Sequence, residues 1–128
     1  MPDFNGSYRK TSSIPPERIA VRRNGRVLFI MLDEIDWIEA ADNYVCLHCG
    51  AETHILRETM SEVEVRLGPA RFIRIHRSAI VNIDRIKELQ PWFRGDYHVI
   101  LHDGTKLTLT KNHRENLDSQ LLLGSFTR

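Results

Sequence analysis

The sequence has little cysteine, no long apolar run and almost no net charge, and the first two shortages each exclude something. Two cysteines, Cys46 and Cys49, in 128 residues make no disulfide framework. The longest uncharged apolar stretch, Val27-Leu28-Phe29-Ile30-Met31-Leu32, is far too short to span a bilayer. The opening residues MPDFNGSYRK hold no hydrophobic segment of the secretory kind. A cytoplasmic location is the expectation. The formal net charge of +1 says little about partners, because a near-neutral total can conceal a basic face. Catalytic signatures are missing too: there is no Gly-x-Ser-x-Gly elbow, no Gly-x-x-x-x-Gly-Lys loop, no dinucleotide fingerprint and no pair of carboxylates in an apolar setting. His76 and Ser78 lie two apart with Asp84 downstream, but a triad is defined by geometry, and one Ser and one His in a segment do not make it. No enzyme and no cofactor are expected.

What is present is a globular composition, 41% hydrophobic and 27% charged, with room for one domain. Residues 1–17 carry Gly6, Ser7, Thr11, Ser12, Ser13, Pro15 and Pro16 without periodicity and read as a linker or disordered leader. A domain is predicted over 18–124, with a short tail at 125–128. Asn24-Gly25 between RIAVRR and RVLFIM predicts a two-residue hairpin, which sets Val21 opposite Leu28, Ile19 opposite Ile30 and Arg23 opposite Arg26. The same logic at Asp103-Gly104 pairs Ile100 with Leu107 and His98 with Leu109. DWIEAA, NYVCLHC, THILR, FIRIH and IKELQPWF read as strands, with turns at Asp42-Asn43, Gly50 and Gly95. Thr59-Met60-Ser61-Glu62 matches a capping box for a helix that buries Met60, Val63 and Leu67 and stops at Gly68-Pro69. A second helix begins after Thr110, carries Leu117 and Leu121 on one face and ends near Gly124. The fold class is therefore mainly β.

Cys46-Leu47-His48-Cys49 has the spacing used for zinc or thiol exchange, but on a strand the two sulfurs point to opposite faces, and no second pair completes a tetrahedron. Both cysteines read instead as small buried hydrophobes. The informative stretch is RFIRIHRSAIVN (71–82). Ile73 and Ile75 share a face, and strict alternation would carry Arg77 into the core after them. A buried unpaired guanidinium is too costly, so the strand must end there and let Arg77 emerge, with His76 and Ser78 beside it; the structural alternative is an Arg77–Asp84 pair. Asp42-Asn43-Tyr44 offers an amide and a phenol at another tip. Thr110-Lys111-Asn112-His113-Arg114 gathers polar donors where a strand enters a helix. Arginine, lysine and asparagine can read base edges while the other groups hold phosphates. These residues alone do not separate DNA from RNA.

At these same places the chain resembles the LytTR family of DNA-binding domains, output modules of bacterial response regulators. The resemblance runs through IDWIEAADNYVCLH (35–48), LRETMSEVEVRLGPARFIRIHRSAIVNIDRIKEL (56–89) and GDYHVILHDGTKLTLTKNHRENL (95–117). It implies an elongated domain of successive antiparallel sheets with short helices, whose loops enter grooves of double-stranded DNA and bend it. It also implies two copies on repeated half-sites and a receiver domain as partner. Position by position, Arg77 takes the central base contact, Lys111 a second, and Asn43 and Tyr44 the third loop. Arg23, Arg26, Arg74, His76, Ser78, Asn112, His113 and Arg114 are the expected phosphate contacts. The rivals are an RNA-binding module stacking bases on Tyr44, Trp92 or Phe93, and a zinc or thiol enzyme using Cys46 and Cys49.

Overall fold

The structure is a computed structural model describing residues 17–120. Asn24 and Gly25 both take left-handed backbone (φ 53° and 77°), as a two-residue type I′ turn requires. The turn joins β1 (Arg18–Arg23) to β2 (Arg26–Met31) in the predicted register, with Val21 opposite Leu28, Ile19 opposite Ile30 and Arg23 opposite Arg26. Ile19, Val21 and Ile30 are buried on one face, and Val27 and Phe29 are exposed.

A five-stranded antiparallel sheet follows, built from β3 (Trp37–Ala41), β4 (Tyr44–Cys49), β5 (Glu52–Leu56), β6 (Phe72–His76) and β7 (Ala79–Asn82). Its order is β5-β4-β3-β7-β6. Between β5 and β6 runs α1 (Met60–Leu67). Its capping box forms as predicted: the Glu62 amide donates to Thr59 Oγ1 (3.1 Å) and the Thr59 amide to the Glu62 carboxylate (2.9 Å). Met60, Val63 and Leu67 are buried, and Gly68 ends the helix.

Period-two alternation gives this sheet two apolar faces. Ile38, Val45, Leu47 and Ile80 meet the β1–β2 hairpin and α1 in one core. Ile73, Ala79 and Val81 meet a second core on the other side. That second core is closed by a sheet of β8 (Ile86–Pro91), β9 (Tyr97–Leu101) and β10 (Lys106–Leu109), and by Leu117 of α2 (Arg114–Gln120). Asn82, 1% exposed, ties the layers at one end: its side-chain amide donates to Ile35 O (2.9 Å) and its Oδ1 accepts from the Asp84 amide (3.0 Å).

Three expectations need correction. In the second hairpin, Ile100 pairs with Lys106 and His98 with Thr108, one residue away from the predicted partners. The loop holds three residues, not two: the Gly104 amide donates to Leu101 O (2.9 Å), the Leu101 amide to Thr105 O (2.8 Å), and Gly104 takes φ 93°. A one-residue slip exchanges the two faces of a strand, and this one sends Val99, Leu101, Leu107 and Leu109 into the core together. The strand predicted over IKELQPWF stops at Pro91, leaving Trp92 and Phe93 in a turn. A 3-10 turn, Lys111–His113, precedes α2. Leu121 and Gly124, most of the predicted leader and the predicted tail lie outside the described residues. No helix among the described residues is long and apolar enough to cross a membrane.

Candidate nucleic-acid interface

β6 resolves the conflict between alternation and charge with a bulge. Arg74 pairs with Ile80 and His76 with Ala79, so the register shifts between them. Bulges bend a strand and re-aim its side chains. The chain then turns at Arg77-Ser78, and Arg77 is exposed. Among the described residues no carboxylate pairs with its guanidinium. Asp84 is exposed, and its backbone amide is held by Asn82.

The turn is braced from inside. The amide and hydroxyl of Ser78 donate to His76 Nδ1 (3.1 and 2.9 Å). Arg74 donates through Nε to His76 O (2.9 Å), through one terminal nitrogen to Glu64 on α1 (2.9 Å), and through the other to Arg77 O. With its side chain only 16% exposed, Arg74 is a clamp on the loop that carries Arg77. It is not presented outward as the sequence led us to expect of a phosphate contact.

Two further tips adjoin this one. The Ala40 amide donates to Ser78 O (3.0 Å), so the β3–β4 turn of Asp42 (φ 57°), Asn43 and Tyr44 ends at the same side of the sheet. Asn43 and Tyr44 are exposed. The Thr110 amide donates to Ile75 O (2.9 Å), placing the Lys111–His113 turn against the end of β6. Lys111 and Asn112 are exposed there. Thr110 Oγ1 bonds His113 Nδ1 (2.7 Å), and Asn116 donates to Arg74 O (3.0 Å). Two backbone amides at this junction are already used: Lys111 N donates to Asp96 Oδ1 (2.8 Å) and His113 N to Thr110 O (2.9 Å). Burial lowers the His113 pKa, nearby Arg74 and His76 lower it further, and Glu64 opposes them. The Arg114 guanidinium lies 5.5 Å from the centre of the Tyr97 ring, a cation–π contact that holds it against the scaffold.

Arg23 and Arg26 are not part of this series. They flank the Asn24-Gly25 tip, where Arg23 lies 3.5 Å from His54 Nδ1 on β5, at the opposite edge of the five-stranded sheet from β6. The geometry adds two cations that sequence reasoning did not single out for the site. Arg57 lies over the Tyr44 ring at 5.5 Å, and with Arg22, Tyr44 and Ile55 it lines a surface depression of about 520 Å³. The signal for Arg57 was available: a turn at Gly50 that pairs Cys49 with Glu52 brings Arg57 opposite Tyr44 when the register is extended.

The thiols do not converge. Neither is fully buried as expected: Cys49 packs half-buried against the first core, and Cys46 alternates to the other face and is half-buried too. Burial and neighbouring acids raise both pKa values, that of Cys49 to about 11. Among the described residues, no group of three or more His, Cys, Asp or Glu side chains could hold a metal ion.

Fold and site together define a β-scaffold domain whose cationic and amide side chains are carried on loops, not on a recognition helix. Residues 25–122 match the family model of the LytTr DNA-binding domain, and the chain belongs to that family. It is 29% identical over 104 residues to the sensory transduction protein LytT of Bacillus anthracis, covering 81% of this chain and 42% of that protein. It is 30% identical over 105 residues to the transcriptional regulatory protein LytR of Staphylococcus aureus, covering 82% and 43%. The chain thus spans less than half the length of these curated relatives. A solved LytTr DNA-binding domain from Bacillus cereus superposes with a TM-score of 0.75 at 19% identity, covering 84% of this chain and 99% of that one. That likeness confirms the mainly β fold of successive antiparallel sheets.

Proposed function

We propose that this chain binds double-stranded DNA sequence-specifically, as the cytoplasmic output domain of a two-component response regulator. Arg77 and Lys111 read base edges, with Asn43 and Tyr44 on a third tip. Asn112, His113 and Arg114 hold phosphates beside them, Ser78 is committed inward to His76, and Arg22 and Arg57 extend the cationic surface past Tyr44. Arg74 and His76 act by shaping the Arg77 turn. Arg23 and Arg26 bind backbone only if the duplex reaches the β5 edge. The single observation that carries this reading is an exposed Arg77, without a carboxylate partner among the described residues, on an internally braced turn within the family-matched segment. The relatives are more than twice as long as the matched region, which supports a receiver domain in the full-length protein; binding as two copies on repeated half-sites is part of the proposal and rests on the family resemblance alone.

The test begins by selecting bound sequences from a random duplex pool. Arg77→Ala should then cost about 1–3 kcal/mol on the selected duplex and much less on a scrambled one. Equal losses on both would reduce Arg77 to a phosphate contact. Single-stranded RNA is the competing ligand to include, because Trp92 and Phe93 are exposed and could stack on bases. RNA displacing the selected duplex at equal concentration would reverse the assignment.

A further inference from the structure

A fourth tip adjoins Lys111. β8 ends at Pro91 and β9 starts at Tyr97, opposite Pro91 on one side and Leu109 on the other. The connecting turn therefore lies at the same end of its sheet as Thr110 and Lys111. It is closed by two backbone bonds, Trp92 N to Asp96 O (2.9 Å) and Asp96 N to Phe93 O (2.8 Å). Arg94 sits in left-handed backbone (φ 55°, ψ 30°), which costs a residue with a Cβ about 1–2 kcal/mol. Strain of this kind persists where the surrounding structure imposes it, and it gathers at working sites.

The turn is locked to Lys111. Asp96 holds the Lys111 amide at 2.8 Å. A Cβ at Gly95 would stand 3.3 Å from Lys111 Cδ, so the lysine stem lies across bare glycine backbone. Trp92 packs on His98 with ring centroids 4.3 Å apart and on Phe93 at 4.6 Å. Among the described residues His98 Nδ1 is buried without a hydrogen-bond partner, and ring packing seats Trp92 on it. Phe93 is nonetheless 66% exposed and Trp92 52%. Leaving such side chains partly in water forgoes a share of the stabilisation that full burial would contribute.

Building on the DNA-binding reading above, we infer that this turn is a wedge. Phe93 enters a base step flanking the groove that Lys111 reaches, Trp92 backs it from its seat on His98, and Arg94 holds the adjoining phosphate. An apolar side chain that unstacks a base step kinks the duplex, and flanking cations offset the repulsion between phosphates. Two aromatics between Arg94 and Lys111 suit a polyanion with flat apolar faces. They make too small a patch for a stable protein partner, which needs about 800 Å² a side.

The experiment uses the duplex selected by the protein from a random pool, labelled at both ends. The chain has two tryptophans, Trp37 and Trp92; Trp37 is half-buried, stacked on His48 and close to His76 and Ser78, so the emission change is assigned to Trp92 by its loss in Trp92→Phe. Adding duplex should quench wild-type emission, and Trp92→Phe should lose that component. Phe93→Ala should weaken binding about tenfold and lengthen the end-to-end distance reported by energy transfer. Phe93→Trp should restore the bend. Thermal unfolding of each variant should match wild type, because the side chains are exposed. If wild type binds the selected duplex while Phe93→Ala and Arg94→Ala bind and bend it equally well, the wedge is overturned and the DNA-binding reading stands. If selection enriches nothing, both fall. Emission that changes with protein concentration alone would assign the patch to self-association and overturn the wedge.

Discussion

Replacing Arg74 separates a clamp from a contact. Its guanidinium makes two hydrogen bonds to carbonyls of the Arg77 turn and one to Glu64. The Glu64 carboxylate is 45% exposed, so that ion pair contributes no more than ~1 kcal/mol. The bonds to His76 O and Arg77 O are charge-assisted, the kind that contributes about 1.5–3 kcal/mol each, but water can reach a carbonyl freed at an exposed turn. Arg74→Ala is therefore expected to cost about 2 kcal/mol and, for a domain of this size, to lower the Tm by about 10 °C. Arg74→Lys should lose nearly as much, because an ammonium keeps the charge but not the fork that spans two carbonyls. Circular dichroism melts and fluorescence anisotropy against salt read the two properties independently. Both variants should melt early, bind the selected duplex more weakly and keep the wild-type salt slope. A variant that melts like wild type while its log–log salt slope drops by about 0.9 would mean that Arg74 neutralises a phosphate, and the bracing argument would be wrong.

Thr59→Ala removes the α1 cap and should cost about 1 kcal/mol without changing DNA affinity, as a melt paired with a binding curve would show. His113 has a folded-state pKa below the ordinary 6.5, so the unfolded chain takes up its proton at higher pH than the folded one does. Stability should fall as pH drops below that value and level off once the folded state also protonates, and His113→Asn should flatten the slope in denaturant titrations. Cys49, with its thiol near pKa 11, should alkylate at pH 8 about a hundredfold more slowly than an unperturbed thiol; rapid labelling of the folded protein would contradict its packing on the core.

Local signals were legible wherever one dipeptide or one cap decides the outcome. Asn24-Gly25 set its hairpin register, and Thr59 with Glu62 set a helix start. Asp103-Gly104 misled because a glycine in positive φ serves two-residue and three-residue loops alike, and the core side chains settle which forms. At the site, the emergence of Arg77 followed from cost alone, since the alternative was a buried cation. What Arg74 does was not legible. Its neighbours in the sequence look like a basic cluster, while its partners are a helix carboxylate ten residues earlier and carbonyls that align only after the bulge. Trp92 and Phe93 were read as strand because their hydrophobicity fits one; Pro91 and the left-handed Arg94 end the ladder first.

The doubly stapled β6–β7 turn has a kinetic consequence. A loop fixed by Arg74 on one flank and by the His76–Ser78 bonds on the other has little freedom left to surrender when a duplex arrives. Encounter should then be limited by diffusion and steering, and similar for good and poor sites. Selectivity between sequences should appear in residence time, with a matched site held long and a mismatched one released early.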